Sequence, residues 1–250
     1  MILVSVGNTN TRIARTEGGR DFQYLDWPSA WPAAKILGSL TETWTQALKQ
    51  EDIYVGGVVP DAISAWNAAL AGASLPTWDP ERFHRLVSHA YKPPESLGFD
   101  RRCCLLAARD IHTYPDCVVI DAGTAITIDL LQNGRFVGGR ILPGLRMQLH
   151  CLANETALLP EPEGVSAFQP QELLGNSTCM AIQAGVYHSA LAAIHSAVAD
   201  YRRVAGNMAI LLTGGDMQIL APAVPDAILD KHLLLRGFYL LVTVQSCSSW

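Results

Sequence analysis

The stretch Val118-Val119-Ile120-Asp121-Ala122-Gly123-Thr124-Ala125-Ile126-Thr127-Ile128-Asp129 carries an apolar run into a carboxylate and a small, hydroxyl-bearing turn. A degraded copy opens the chain as Leu3-Val4-Ser5-Val6-Gly7-Asn8-Thr9-Asn10. A strand that ends in such a turn wraps backbone N–H groups and hydroxyls around one point, which is how a phosphate is held. Two such turns facing each other would make a nucleotide cleft. The copies differ at one position that matters: Asp121 of the second corresponds to Ser5 of the first.

A third segment, Tyr91-x-x-Pro94-x-x-x-Gly98-Phe99-Asp100-Arg101, sets an acid beside a base at the start of an expected helix, where N–H groups favour anions. A carboxylate there can take a proton from a substrate hydroxyl, and Arg101 can grip a substrate carboxylate through its fork. The plain alternative is a solvated Asp-Arg pair capping a helix. Asp121 has its own plain alternative, an Asx turn. Gly138-Gly139-Arg140-Ile141-Leu142-Pro143-Gly144 and Thr213-Gly214-Gly215-Asp216 are glycine-dense strand ends that let a ligand, an adenine ring for the second, lie against backbone, or they are bare loops.

Elements must position these groups. Ile2 to Val6 reads as a strand, Arg12 to Thr16 alternates, Gly18-Gly19 turns the chain, and Phe22 to Leu25 is a third strand. The order recurs from Val118, with a turn at Gly123 to Ala125, a strand Ile126 to Leu131, a primed hairpin turn at Asn133-Gly134 and then Phe136-Val137. Between the meanders, Trp31 to Gln50 has helical spacing, Ile53 to Val59 is a strand, and Ala62 to Ala73 and Arg101 to Ile111 are helices. Beyond them come a helix over Gly144 to Ala157, a loop over Glu161 to Pro170, and a long helix from Cys179 to Val198 with its N-cap at Ser177-Thr178. A strand over Met208 to Leu212 follows, and from Asp230 a short Leu-rich strand and a final helix. The expectation is two α/β domains, 1–114 and 115–250, meeting near Tyr114-Pro115.

The 250-residue chain is 49% hydrophobic, ample for a packed core, and its net charge of -5 argues against a nucleic-acid partner. Nothing approaches the roughly 18 consecutive apolar residues of a membrane span. Six cysteines without C-x-x-C spacing, two of them adjacent, suit idle thiols in a reducing cytoplasm better than a disulfide framework or a zinc site. Seven scattered histidines form no H-E-x-x-H motif and read as structural or surface residues.

Taken in order, these motifs resemble the type III pantothenate kinases, a family that includes members first named Bvg accessory factors. The resemblance rests on strand-Gly-Asn-Thr-Asn, Gly-x-Asp-Arg after Tyr and Pro, Asp-x-Gly-Thr-Ala-x-Thr-x-Asp, Gly-Gly-x-Ile-x-Pro-Gly, Thr178 before Ala181 to Gly185, and Thr-Gly-Gly-Asp. It implies the acetate and sugar kinase, heat-shock 70 and actin superfamily: two ribonuclease-H-like (actin-like ATPase) domains with ATP in the cleft between them, usually as a homodimer. The implied reaction moves the ATP γ-phosphoryl to pantothenate, the first step toward coenzyme A. Asp100 then matches the proton acceptor, and Gly98, Phe99 and Arg101 complete a substrate segment to which Tyr91 and Thr178 add contacts. Ser5, Val6, Gly7, Asn8, Thr9, Asn10, Thr11 and Arg12 span the first phosphate loop, Thr124 matches an ATP contact, and Asp121 matches the ligand of a monovalent cation, K⁺ or NH4⁺.

Two residues depart from the family pattern. Ser5 stands where the family has an Asp that helps hold Mg²⁺ on ATP, and a neutral hydroxyl is a poorer magnesium partner than a carboxylate. Asp129 is a further carboxylate that could serve the metal through water. Phe99 replaces a smaller residue, which would narrow the pantothenate pocket or change its preference toward another small hydroxylated acid. The alternative function is a weakened pseudokinase that keeps the nucleotide site and acts as a regulatory or accessory protein.

Overall fold

In the computed structural model, which describes residues 1–112, 114–162 and 173–243, the run Ile2–Val6 forms the wholly buried strand β1. Alternate side chains of a strand take opposite faces. Ile2, Val4 and Val6 enter a core with Ile13, Ile36, Leu48, Val55 and Trp66, which leaves Leu3 and Ser5 on the other face. β2 (Asn10–Arg15) returns antiparallel and β3 (Gln23–Pro28) extends the meander. The chain then runs through α1 (Ala33–Gly38) and α2 (Glu42–Gln50), which supply the crossover that a parallel neighbour requires. β4 (Ile53–Gly57) docks beside β1 in parallel and completes the order β3-β2-β1-β4.

Helical spacing over Trp31 to Gln50 resolves into two helices because the chain stops at Gly38. The Ser39 hydroxyl donates to the Ile36 carbonyl at 2.7 Å, and Thr41, extended, opens α2. α3 (Pro60–Ala69) begins on a proline, whose missing N–H has no intrahelical partner to lose at that position. α4 (Arg82–Leu86) and α5 (Phe99–Asp110) follow.

The same plan repeats in β5 (Cys117–Ala122), β6 (Ala125–Gln132) and β7 (Arg135–Pro143). Asn133 at φ 52° and Gly134 at φ 68° make the hairpin between the last two the primed turn that Asn-Gly predicts. α6 (Leu145–Asn154) and α7 (Thr178–Ala205) cover one face of this sheet, where Val118, Ile120, Ile126 and Ile128 pack with Leu145, Leu149, Val186 and Ile194. The Ser177 side chain accepts the Met180 N–H at 3.3 Å, the N-cap read from the sequence. β8 (Ala209–Thr213) lies parallel to β5 as β4 does to β1, then come α8 (Met217–Leu220) and an added edge strand β9 (Ala227–Leu229), for the order β7-β6-β5-β8-β9.

The final helix expected in the tail is α9 (Leu233–Thr243), but the Leu-rich strand expected from Asp230 is replaced by β9, which lies upstream of Asp230. α9 packs on α5 so closely that a Cβ on Gly237 would lie 1.8 Å from the Cys103 carbonyl oxygen. The chain accordingly divides into a unit of Met1–His112 with His232–Trp250 and a unit of Thr113–Lys231, so the last helix returns to the first half. The loop expected over Glu161 to Pro170 lies outside the described residues from 163 onward, as does Cys247.

Candidate active site

The duplication can be read residue by residue from the pairing. Val6 faces Thr11 across the first turn and Ala122 faces Ile126 across the second, so Gly7 matches Gly123 and Ser5 matches Asp121. Both glycines close the turn in the same way: the Gly7 N–H donates to Asn10 O and the Gly123 N–H to Ala125 O, each at 3.0 Å.

In the first turn Asn8, Thr9 and Asn10 are exposed at the end of a buried strand. Ser29 holds them from behind. Its hydroxyl donates to the Gly7 carbonyl at 2.7 Å and lies 3.0 Å from the Thr11 hydroxyl, while its N–H donates to Thr9 O at 2.8 Å. Nothing in the sequence marks Ser29 for this task. Across the sheet, Asp26, Arg12, Ser5 and Gly56 stand in register, with side chains on one face. Arg12 binds Asp26 by both prongs, at 2.6 and 2.8 Å, and lies over the Tyr24 ring at 4.3 Å. Burial opposes the guanidinium charge, but the hydrogen bond and charge of Asp26 outweigh it and raise the Arg12 pKa.

Asp100 sits in the first turn of α5, which starts after Gly98. Its Oδ1 accepts the Arg101 backbone N–H at 2.8 Å and lies where a Cβ on Gly98 would meet it at 2.7 Å, so glycine there leaves room for the carboxylate. Arg101 is 5% exposed and donates from Nη1 to the Tyr91 hydroxyl at 3.0 Å. This buried, engaged guanidinium replaces the solvated pair that helix capping alone would give. The Phe99 ring packs edge-on to Phe238 at 4.9 Å and to Trp78 at 6.0 Å. It also fills the space over Gly56, where a Cβ would come within 2.7 Å of its tip. Gly56 is the in-register neighbour of Ser5, so Phe99 ties the start of α5 to the sheet face that carries Ser5.

In the second unit, Asp121 lies one residue before the end of β5, beside Thr127 and Thr213 in register, on the face away from the α6 and α7 core. Asp129 shares that face, is 1% exposed, and turns its Oδ1 toward Gly139. The turn 123–125 is backed by Gly144, whose N–H donates to Thr124 O at 3.0 Å. A Cβ on Gly144 would meet the Gly123 carbonyl oxygen at 2.1 Å, so the glycine-dense segment is a fitted support for this turn. Thr178 is exposed at the first residue of α7, on a separate element. Asp216 is buried, which raises its pKa, with the Arg146 guanidinium 4.0 Å away acting in the opposite sense.

Comparison with known proteins agrees with this plan. Residues 1–200 match the family model described as type III pantothenate kinase. A type III pantothenate kinase of Synechococcus sp. (strain JA-2-3B'a(2-13)) is 39% identical over 239 residues, 88% of this chain and 92% of that protein. Another from Flavobacterium johnsoniae is 32% identical over 95% of each. Among solved structures, a Baf family protein from Campylobacter jejuni superposes with a TM-score of 0.64 at 22% identity, covering 96% of each chain. The ethanolamine utilization protein EutJ from Carboxydothermus hydrogenoformans superposes at 0.51 and 14% identity, covering 94% of this chain and 86% of that one. These likenesses show the fold alone, an α/β architecture that here divides into two units. Family match and curated relatives together show that the chain belongs to the type III pantothenate kinases.

Proposed function

We propose that this protein transfers the γ-phosphoryl group of ATP to the primary hydroxyl of pantothenate, giving 4′-phosphopantothenate, the first step of coenzyme A synthesis. One observation beyond family membership carries the reading. The Asp100 carboxylate heads a helix beside a buried Arg101–Tyr91 pair, and the neighbouring Phe99 ring packs on Gly56, the in-register partner of Ser5.

In this reading Asp100 accepts the hydroxyl proton as the phosphoryl group arrives, Arg101 and Tyr91 orient pantothenate, and Gly98 and Thr178 add contacts. The turn of Gly7, Asn8, Thr9 and Asn10 and the turn bearing Thr124 receive phosphates. Phosphoryl transfer asks mainly for alignment and charge neutralisation, and these groups supply both. The fit to a nucleotide rests on the two glycine-closed turns, each backed by a dedicated residue, Ser29 or Gly144. For metals, the candidate donors are taken separately: the Ser5 hydroxyl, 8% exposed, for magnesium, and the Asp121 carboxylate for a monovalent cation. Magnesium keeps several waters and takes hard oxygens, so a hydroxyl fits as a weak partner through that shell. When bound, Mg²⁺ would neutralise phosphate charge, and K⁺ or NH4⁺ at Asp121 would relieve the repulsion between that carboxylate and the phosphates. We extend the proposal to a homodimer working in the cytoplasm; no helix among the described residues is long and apolar enough to cross a membrane.

The test is direct. Purified protein with ATP, Mg²⁺ and pantothenate, in potassium or in sodium buffer, is expected to form 4′-phosphopantothenate, faster in potassium. Bound ATP without product in either buffer would replace this reading with that of an accessory nucleotide-binding protein.

A further inference from the structure

Two histidines outside the motifs form a hydrogen-bond chain that ends on the backbone of Tyr91. His84 Nδ1 lies 2.6 Å from His89 Nε2, and His89 Nδ1 accepts the Tyr91 N–H at 3.2 Å. His84 Nε2 lies 3.1 Å from Glu81 Oε2. The Phe83 ring stacks on His89 at 5.9 Å and meets His84 edge-on at 5.6 Å, fixing both imidazoles.

A backbone N–H can only donate, so it determines every proton in the chain. His89 Nδ1 must be bare, which puts the proton of neutral His89 on Nε2, directed at His84. His84 Nδ1 must then be bare as well, and its proton sits on Nε2, close to the Glu81 carboxylate but not hydrogen-bonded to it. One more proton cannot be added without loss. On His89 Nδ1 it opposes the Tyr91 N–H; on His84 Nδ1 it opposes the His89 N–H.

We infer that His89 is a positioning residue for substrate, holding the backbone of Tyr91 through a pair of neutral imidazoles that releases it on protonation. The inference rests on the proposed role of Tyr91 in pantothenate binding. Charged groups around His84 pull both ways: Arg102 of α5 opposes a second proton there, and Glu81 and Glu95 favour one. Burial is the largest influence on His84 and lowers its pKa, which favours the neutral imidazole at that position. Arg102 Nη1, 3.5 Å from Glu81 Oε1, also draws off part of the carboxylate that would stabilise imidazolium.

Kinetics and NMR on the full chain test this together. KM for pantothenate is expected to rise as the pH falls below the usual imidazole range, with kcat changing less. His89→Ala is expected to raise that KM about tenfold at pH 7.5, the scale of a small misplacement of a binding group. His89→Asn, whose Oδ1 stands in for Nδ1 as an acceptor that does not titrate, is expected to restore KM and flatten the acid limb. An acid limb that persists in His89→Asn, or an equal rise in KM for ATP in His89→Ala, would overturn the inference. Long-range ¹⁵N spectra of the histidines read the chain without any activity: both rings should carry the proton on Nε2 at neutral pH, and the Tyr91 amide should shift as they titrate. An Nδ1–H tautomer on either ring, or a Tyr91 amide indifferent to pH, would overturn it even if pantothenate proved not to be the substrate. Those spectral results intact with no product would instead count against the proposed function.

Discussion

Arg101 and Tyr91 form a hydroxyl-to-guanidinium contact of 3.0 Å around a cation that is almost wholly buried, with the guanidinium carbon 5.2 Å from the ring centroid. A buried donor that loses its acceptor typically costs about 1–3 kcal/mol, and more when it is charged. Tyr91→Phe should lower stability by that order while raising KM for pantothenate, leaving kcat nearly unchanged. Steady-state kinetics and a thermal melt measure both, and a variant with unaltered KM would remove the Tyr91 hydroxyl from substrate positioning.

Asp100→Asn keeps the side chain's shape and its acceptor for the Arg101 N–H but deprives it of a base. Turnover should fall by roughly 100- to 10,000-fold, the usual worth of a positioned proton acceptor. Circular dichroism should match the parent. A rate near normal would assign proton removal elsewhere.

Ser5→Asp restores a carboxylate in the row Asp26, Arg12, Ser5 and Gly56, where Arg12 already has its counter-ion in Asp26. The new charge is therefore open to a metal. Turnover at limiting Mg²⁺ should rise on the order of tenfold, equivalent to about 1.4 kcal/mol of transition-state stabilisation. Identical magnesium titrations for the two proteins would sink the assignment.

Phe99→Ala would remove the ring that anchors α5 over Gly56, next to Ser5. A pocket-narrowing Phe99 predicts that truncation widens substrate preference at unchanged kcat. The packing against Trp78 and Phe238 predicts the reverse: kcat falls by about tenfold or more because Asp100 is displaced, with preference unchanged. A panel of pantothenate analogues decides between them.

The cysteines give a pH prediction of known sign. Burial raises Cys103 well above its ordinary value, and burial together with Asp116 raises Cys117 to about 12. At pH 8 a thiol reagent should therefore modify the exposed Cys151 and Cys179 and spare Cys103, Cys104 and Cys117 until the protein unfolds. In the unfolded chain these thiols ionise near their ordinary value of about 8.5. The contribution of Cys117 to stability is complete below that pH and is lost as the pH climbs from there toward 12. Rapid labelling of Cys117 in native protein would contradict its burial.

Much of this was legible in the sequence because strands and turns are written locally. Asn133-Gly134, Ser177 and the repeated strand-Gly-turn announce themselves through short-range rules, and the pairing register confirms that Ser5 and Asp121 are equivalent. The residues that support the site were not legible. Ser29 acts on a turn about 20 residues away, Asp26 neutralises Arg12 across a sheet, and Phe238 reaches Phe99 from the end of the chain. The tail misled only in its strand: Leu233 and Leu235 fit a short strand by composition, yet they belong to the final helix, whose Gly237 packs on the Cys103 backbone.

That contact between Gly237 and Cys103 bears on how the protein is made. Domains usually complete folding from the N-terminus as they leave the ribosome. Here the first unit lacks α9, the partner of α5, until the whole of Thr113–Lys231 has been synthesised, whereas that second unit is uninterrupted. The order of completion is thus inverted: the later half can close first, and the half bearing Asp100 waits with its Phe99 and Cys103 flank uncovered. A nascent chain stalled before residue 232 would hold every proposed catalytic and ligand-contact residue and still have no finished support for its base.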